Sequence, residues 1–561
     1  MHRKTRYLDI MEKALRAYSD DRIRHYVMQV QTEGLKEHGF PRLIANIGIL
    51  LAHGRVKEYT DLFAEMMTFC CRQMLLVRAA NDFSVSELSH CLAACENAGL
   101  FPQLTPLWRA DLEAIDPRRC YDCIAKAPDH RVGNWAAYNA ASECARQALG
   151  MAVPQDYLET QIASQVQMLD ENGMYRDPHE PMLYDLATRC QFASMLHSGY
   201  NGPHRPVMED CLRRSASLTL RMQAVTGEIP FGGRSNQFLF NEAYLAALME
   251  YEATALYADG NVEKAAVYKR AATLATDAIF RWLAVTDGQK HVKNRFPQDD
   301  PFGCEGYAYF DKYMISLASF IYLAYLFADE RVSESPCPAE VGGFTAQTSG
   351  YFHKSFAVCG GYGLEFDTAA DLHYDATGLG RLQKMGAPSF LLLSSPFPAI
   401  SNYTLPRPNP GPLAMGSTLT VDGNSYAVWQ CETGSYTLRS LSESPREVIV
   451  EAICRFEPAY MLTEHYRITA KSVDISLQGD GALTYSLPLP EFDGSTHTVI
   501  ALDKQQVTVE YDGWICRCTT NGQFTDTGLC YHNRNGRYRR IDAVRDVDLV
   551  ISVCICPCDR T

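Results

Sequence analysis

A chain of 561 residues exceeds what a single hydrophobic core organises, so two large domains are expected. The composition, 47% hydrophobic and 21% charged with no low-complexity tract, excludes a disordered or fibrous protein. A formal net charge of −14 without a Lys/Arg-rich run argues against a nucleic-acid partner, because phosphate binding needs a basic footprint.

The opening stretch, MHRKTRYLDIMEKALRAY, is charged and amphipathic and lacks the apolar segment of a secretory signal, which points to a cytoplasmic protein. Helix then follows helix. In Val56–Cys70 the apolar residues Val56, Tyr59, Phe63, Met66 and Cys70 step by three and four, the stripe of an amphipathic helix. Ser84-Val-Ser-Glu87 predicts a capping box, with Gly99 as the stop of the helix it opens. Pro154 opens another helix, expected to run to Gly173. Further helices are predicted over Val207–Ala224, Asn241–Tyr257, Val262–Leu283 and Phe310–Phe327. The most apolar run, Met314–Phe327, is too short for a bilayer of roughly 30 Å, so no membrane partner is expected. About a dozen helices in roughly 330 residues allow ~55 residues per hairpin, which predicts six hairpins closed into an (α/α)6 toroid over residues 1–333.

A break comes at Ser333–Glu340, within a linker assigned to 334–341. Beyond it the period changes. Gln506–Tyr511 alternates, Arg446–Phe456 and Val547–Cys556 are β-rich, and the turn pairs Asp422-Gly423, Asp493-Gly494 and Asp512-Gly513 recur. Residues 342–561 therefore read as an antiparallel β-sandwich, and the whole chain as an α+β multidomain protein. The twenty cysteines read as reduced, mostly buried thiols. Cys120-x-x-Cys123 and the Cys554, Cys556, Cys558 tail lack the partners that would complete four ligands, so no metal and no cofactor are expected.

Four loops of the helical half carry unusual polar content. Leu169–Asp185, LDENGMYRDPHEPMLYD, gathers Arg176, Asp177, His179 and Glu180 with Tyr175 and Tyr184; its plainer reading is an Asp/Pro turn with solvated charges. His130–Ala140 places Asn134-Trp135 before a small-residue helix, where a helix cap with a core Trp is the plainer reading. Thr226–Gln237 offers Gly232-Gly233 for close approach to a ligand and Arg234, Ser235 and Asn236 for carboxylates and hydroxyls. Pro301–Asp311 sets Glu305 ahead of Tyr307 and Tyr309; a helix-start carboxylate is the alternative. In the second half, Asp371–Leu382 holds His373, Tyr374 and Asp375, an edge that could lean over a toroid mouth. Aromatic platforms (Trp135, Tyr175, Tyr184, Tyr307, Tyr309) with carboxylates (Asp177, Glu180, Glu228, Glu305) suit a carbohydrate cleft.

Asn134-Trp135, Gly173-x-Tyr-x-Asp177 leading to Tyr184-Asp185, Gly233-Arg234-Ser235 and His373-Tyr374-Asp375 occur in this order. The pattern resembles that of glycoside hydrolase family 154, which implies a toroid-plus-sandwich fold and β-glucuronidase activity. It is more distantly similar to heparinase/hyaluronate-lyase-type polysaccharide lyases. Those lyases carry a Gly-Ser-Phe segment and then the catalytic His; here the segment is Gly173-Met-Tyr-Arg-Asp177-Pro-His179, so their roles do not pass directly onto His179 and Tyr184.

The first expectation is hydrolysis of a glycosidic bond next to a uronic acid, with Asp177 as one carboxyl and Glu228 or Glu305 as the other. Arg234 with Arg176 would bind the uronate carboxylate. The alternative is β-elimination from a uronate polysaccharide, with His179 or Tyr184 as base and Asn134 or Arg234 neutralising the sugar carboxylate. A non-catalytic glycan-binding protein is the third class. The expected partner is an oligosaccharide or glycoside carrying uronic acid, and a homo-oligomer is left open.

Overall fold

A computed structural model describes residues 3–285, 290–392, 396–431, 434–457 and 459–558. The first helices are α1 (Arg3–Arg16), α2 (Asp20–Glu33), α3 (Gly39–Ala52), α4 (Thr60–Leu76), α5 (Val85–Asn97), α6 (Thr105–Glu113), α7 (Pro117–Cys120) and α8 (Trp135–Ala148). There follow α9 (Gln155–Val166), α10 (Met182–His197), α11 (Arg205–Met222), α12 (Asn241–Ala258), α13 (Val262–Ala284), α14 (Phe310–Tyr313), α15 (Ser316–Phe327) and α16 (Pro338–Val341).

Helix contacts run in a closed succession: α3 packs on α5, α5 on α8, α8 on α10, α10 on α12, α12 on α15, and α15 on α3. Each of these has a flanking helix, namely α4 on α3, α6 on α5, α9 on α8, α11 on α10, α13 on α12 and α1 on α15. Sequence explains which set is central. Every residue of α3 from Gly39 to Leu51 is buried, and α15 (SLASFIYLAYLF) is apolar on nearly all sides, as a helix enclosed by others must be. In contrast α13 buries one stripe, including Ala265, Tyr268, Ala272, Ala275 and Ile279, and keeps Glu263 and Lys264 exposed. Charges on the central helices are internally paired: Arg42 with Glu87 at 2.7 Å, Arg146 with Glu143 at 2.7 Å, and Arg189 with Asp185. A buried charge needs such a partner.

Tertiary contacts override several local signals. The hydroxyl of Ser84 makes no cap bond, because Glu87 reaches across to Arg42 and Ser319 instead. Val56 is left-handed (φ 47°) and a 3-10 turn at Lys57–Tyr59 precedes α4, so the helix begins later than its apolar stripe. The helix begun after Pro154 ends at Val166, not Gly173; Leu169 and Tyr175 bridge around a turn in which Asp170 accepts from the amides of Asn172 and Met174. Phe310–Phe327 divides into α14 and α15 beside the Tyr18 hydroxyl, which accepts from the amide of Ile315.

Strands β1 (Phe344–Gln347), β2 (Lys354–Cys359), β3 (Tyr362–Asp367) and β4 (Gly378–Lys384) form an antiparallel sheet in sequence order. Next come β5 (Gly416–Val421), β6 (Asn424–Ala427), β7 (Ser435–Ser444), β8 (Glu447–Phe456), β9 (Tyr460–Thr469), β10 (Val473–Gly479) and β11 (Ala482–Phe492). The last are β12 (Val499–Leu502), β13 (Gln506–Tyr511), β14 (Trp514–Thr520), β15 (Gln523–Asn533), β16 (Gly536–Arg545) and β17 (Leu549–Pro557). They make an eight-stranded sheet, β12-β13-β14-β17-β10-β9-β8-β7, and a five-stranded sheet, β15-β16-β11-β5-β6. Alternate residues such as Ile475, Leu477, Leu462, Tyr466, Leu487, Leu489 and Ile541 meet in one core that includes Leu364, Phe366 and Leu382 of the four-stranded sheet. The alternation in Gln506–Tyr511 matches β13, and Asp512-Gly513 turns left-handed (φ 50° and 78°) into β14.

The four-stranded sheet lies directly under the loop after α11. Glu365 accepts from the amide of Phe231 at 2.9 Å, Arg381 donates to the carbonyl of Ile229 at 3.0 Å, and Asp375 accepts from the amide of Gly233 at 2.9 Å. Arg534 donates to the Gly233 carbonyl at 3.0 Å. The loop that carries Arg234 is thus held by the second half of the chain.

Candidate active site

A cavity of about 330 Å³ opens between the ends of the central helices. Its wall is aromatic, with Phe83, Trp135, Tyr138, Tyr184, Phe238, Tyr244, Tyr307, Tyr313 and Phe320 among the lining residues. Trp135 and Phe83 are tilted at 4.5 Å, and Tyr244 stacks on Phe320 at 4.1 Å. The lining charges are cationic: Arg42, Arg234 and Lys312, with no carboxylate among the described lining residues. Glu87 and Asp177 balance Arg42 and Arg234 from outside that lining. Such a surface favours a ligand with an apolar face and negative charge.

One wall is a connected group from α10 and the turn before it, the loop before α12 and the loop before α14. Arg234 donates to Asp177 at 2.5 Å, and its guanidinium lies 4.5 Å from the centre of the Tyr184 ring. The Tyr184 hydroxyl is 3.1 Å from the Ser235 hydroxyl, which is hydrogen-bonded in turn to the Tyr307 hydroxyl. The Ser235 amide donates to Glu305 at 2.6 Å. Unusual backbone makes this possible: His179, Glu180 and Ser235 all have positive φ (67°, 57° and 62°). Gly233 (φ 72°) sits so close to Pro181 that a Cβ would come within 2.6 Å of its Cα. Strain held in this way needs surrounding structure to impose it, and the carboxyl-terminal sheets do so.

Burial pushes the Asp177 carboxyl above the ordinary aspartate range, against the opposing pull of Arg234 and the Asn134 backbone amide. Its Oδ1 has no hydrogen-bond partner. Burial also raises the Tyr184 hydroxyl, offset in part by Arg234 and by hydrogen bonds with Ser235 and Tyr307. His38, also on the cavity, is driven well below the ordinary imidazole range by burial, then by Arg42 and Lys312, so it is neutral at pH 7.

Of the residues expected from sequence, Asn134, Trp135, Tyr184, Arg234, Ser235 and Tyr307 converge on this cavity, and Asp177 stands behind Arg234. The others do not. Glu228 is buried against Trp282, whose indole donates to it at 3.0 Å; burial would raise its pKa, but Lys293, Arg381 and Arg281 bring it below the ordinary value. Glu305 braces the Ser235 amide and lies 3.9 Å from Arg534, outside the cavity lining. Neither lines the cavity, so the carboxyl pair expected for hydrolysis is not brought together there among the described lining residues. His179 points outward, 3.8 Å from Asp371, and is 64% exposed, so it is not placed to act as the base. His373 is likewise exposed and held by Asp371 at 2.9 Å. Arg176 donates to the carbonyl of Met168, and Asn236 to that of Pro230 at 2.7 Å, both structural bonds. Tyr175 is buried beside a separate hollow with Arg131 and Tyr351, and Tyr309 is half exposed beside another with Asp299 and Asp300. Gly232 and Gly233 approach Lys354 and Pro181, not the cavity.

Sequence reasoning missed His38, Arg42, Tyr138, Tyr244, Lys312 and Tyr313. A signal existed for Arg42: an arginine inside GFPRLIANIGILLA has no solvent face to occupy. The tyrosines carried none, being indistinguishable from core aromatics. All twenty cysteines are free thiols, and no His/Cys/Asp/Glu group suited to a metal is present among the described residues. No described helix is long and apolar enough to cross a membrane.

No protein-family model and no curated protein matches the sequence. Among solved structures, the chain is similar to the heparinase III BT4657 gene product, with 10% identity, 98% of this chain and 84% of that one covered, and a TM-score of 0.46. It is similar to the Streptomyces coelicolor A3 chondroitin AC lyase in complex with chondroitin sulphate, with 12% identity, coverage of 98% and 79%, and a TM-score of 0.43. A heparan sulfate lyase HepC mutant from Pedobacter heparinus gives 11% identity, coverage of 93% and 76%, and a TM-score of 0.42.

Proposed function

We propose that the protein is a glycan-degrading enzyme that cleaves a uronate-containing polysaccharide by β-elimination. We read the closed succession of paired helices as the (α/α)6 toroid expected from the sequence, and the sheets after it as the β-sandwich. The observation that carries the reaction is the composition of the cavity: tyrosine hydroxyls beside Arg234 and Asn134, with no carboxylate among the described lining residues. Hydrolysis ordinarily needs two carboxyls flanking the scissile bond. Elimination needs a cation or amide against the uronate carboxylate, a base for the C5 proton, and an acid for the leaving oxygen.

Arg234 and Asn134 hold the uronate carboxylate and so make its C5 proton more acidic. Tyr184, under the guanidinium, gives up its own hydroxyl proton along Ser235 and Tyr307 as it takes the C5 proton; the C5–H electron pair forms the C4–C5 double bond as the C4–O bond breaks. The leaving oxygen receives a proton from the Tyr184–Ser235–Tyr307 chain. Trp135 forms a platform for a sugar face.

A second reading keeps hydrolysis, as the family 154 resemblance implies, because Asp177 is a buried carboxyl with a raised pKa, as a general acid requires. One measurement separates them. Digestion of uronate polysaccharides by elimination creates a conjugated product that absorbs in the ultraviolet, and hydrolysis does not. Tyr184→Phe should lower the rate of that absorbance by about a hundredfold or more with little change in KM. Sugar release without absorbance would overturn elimination.

A further inference from the structure

The same cavity contains a second cluster, two cations and a neutral imidazole, that the proposed elimination does not use. His38 and Arg42 at the start of α3, and Lys312 on α14, line it together and perturb one another's ionisation. Arg234 belongs to another cluster, with Asp177, Tyr184 and Tyr307. Arg42 is 2% exposed; Nε bonds Glu87 and Nη1 bonds Ser316, each at 2.7 Å, while Nη2 has no partner. His38 is 3% exposed and its Nδ1 has no partner either. The Lys312 ammonium is 5.4 Å from the Tyr313 ring centre and 5.7 Å from that of Tyr309, and no described carboxylate forms an ion pair with it. Glu87 pairs with Arg42, Glu37 acts on Lys312 without an ion pair, and two buried polar atoms, Arg42 Nη2 and His38 Nδ1, are left over. Leaving such groups unmatched is unfavourable unless a ligand completes them.

We propose that His38, Arg42 and Lys312 form a second oxyanion subsite, so that the cavity holds two negative groups of one substrate. This rests on reading the cavity as a uronate site, with the uronate carboxylate at Arg234. The second group is an oxyanion substituent, either a sulfate ester or the carboxylate of an adjoining sugar. Lys312 provides an ammonium, Arg42 Nη2 is a donor whose position the Glu87 and Ser316 contacts fix, and His38 adds its buried Nδ1.

The test is equilibrium binding of inorganic sulfate and of acetate to the full-length protein by calorimetry, with no turnover required. At least one of the two should bind saturably, and the tighter one identifies the substituent. Lys312→Met should weaken that binding by about tenfold or more, and Lys312→Arg should restore most of it. Arg234→Gln removes the other anion site and should leave a saturable component of binding that Lys312→Met abolishes. Thermal unfolding of each variant shows that it is folded. Binding of neither anion, or binding that survives Lys312→Met but is lost in Arg234→Gln, overturns the second subsite. Absence of ultraviolet-absorbing product speaks only against elimination and leaves these binding results unaffected.

Discussion

At Asp177 a fully buried carboxyl faces a guanidinium that is 32% exposed. In elimination its work is to hold Arg234 over Tyr184, not to move a proton. Asp177→Asn keeps the shape and one hydrogen-bond acceptor but removes the charge that orients Arg234. Because Arg234 stays partly solvated, its uncompensated charge is screened and the fold should persist. The expected result is a fall of about tenfold in kcat/KM, equivalent to about 1.4 kcal/mol, with ultraviolet-absorbing product still formed. Complete loss of turnover at unchanged stability would return Asp177 to the role of catalytic acid. The sequence brought Asp177, Arg234 and Tyr184 to attention as separate loop residues. Their juxtaposition was not legible, since 57 positions separate the members of the Asp177–Arg234 ion pair.

At the scale of elements, the Arg234 loop and the turn before α10 are interlocked. Gly233→Ala forces a left-handed backbone on a residue with a Cβ that Pro181 leaves no room for. We expect a loss of about 1–3 kcal/mol by denaturant titration, together with much reduced turnover as Ser235 and Arg234 shift. A second interlock joins that turn to β2 and β3. His353 bonds Glu180 at 2.8 Å and also Asp367. Burial disfavours its charge, but the Asp367 and Glu180 contacts outweigh this and raise its pKa above the ordinary imidazole value. The sign follows from linkage. With the folded pKa above the unfolded one, the clamp's contribution is complete below about pH 6.5 and is lost as pH rises through the folded value. Wild type should therefore exceed His353→Gln in thermal stability most at mildly acidic pH, with the gap narrowing at alkaline pH. A gap that widens with pH would contradict this. The left-handed His179 and Glu180 are where local patterning had least to say, since neither residue type demands that conformation.

Across the whole molecule, the carboxyl-terminal sheets act on the cavity without lining it. Arg534 is buried, lies 4.4 Å from the Tyr403 ring centre, and donates to the Gly233 carbonyl one residue before Arg234. Arg534→Met should lower stability by about 1.5–3 kcal/mol and reduce kcat more than it raises KM, read from kinetics and denaturation together. Arg540→Met is the control: Arg540 pairs with Asp542 at 2.8 Å on β16, and its loss should leave turnover unchanged. Equal kinetic effects from both variants would show that the sheets stabilise the chain without shaping the loop.

The amino-acid order by itself determined the two characters of this chain, helices to about residue 330 and strands after it. Apolar spacing, Gly stops and Asp-Gly turns are local and are written in neighbouring residues. It also singled out Asn134, Trp135, Tyr184, Arg234, Ser235 and Tyr307, whose polar or aromatic character is conspicuous in loops and helix ends. Tertiary structure decided which charges reach the cavity and which are braces. Glu228, Glu305 and Arg176 looked the same in sequence as Asp177 and Arg234, yet Glu228 and Glu305 meet partners far along the chain and Arg176 turns back onto the carbonyl of Met168. It alone revealed His38, Arg42 and Lys312 as one group, because a cavity is a property of packing and the ends of α3 and α14 meet only when the helical succession closes.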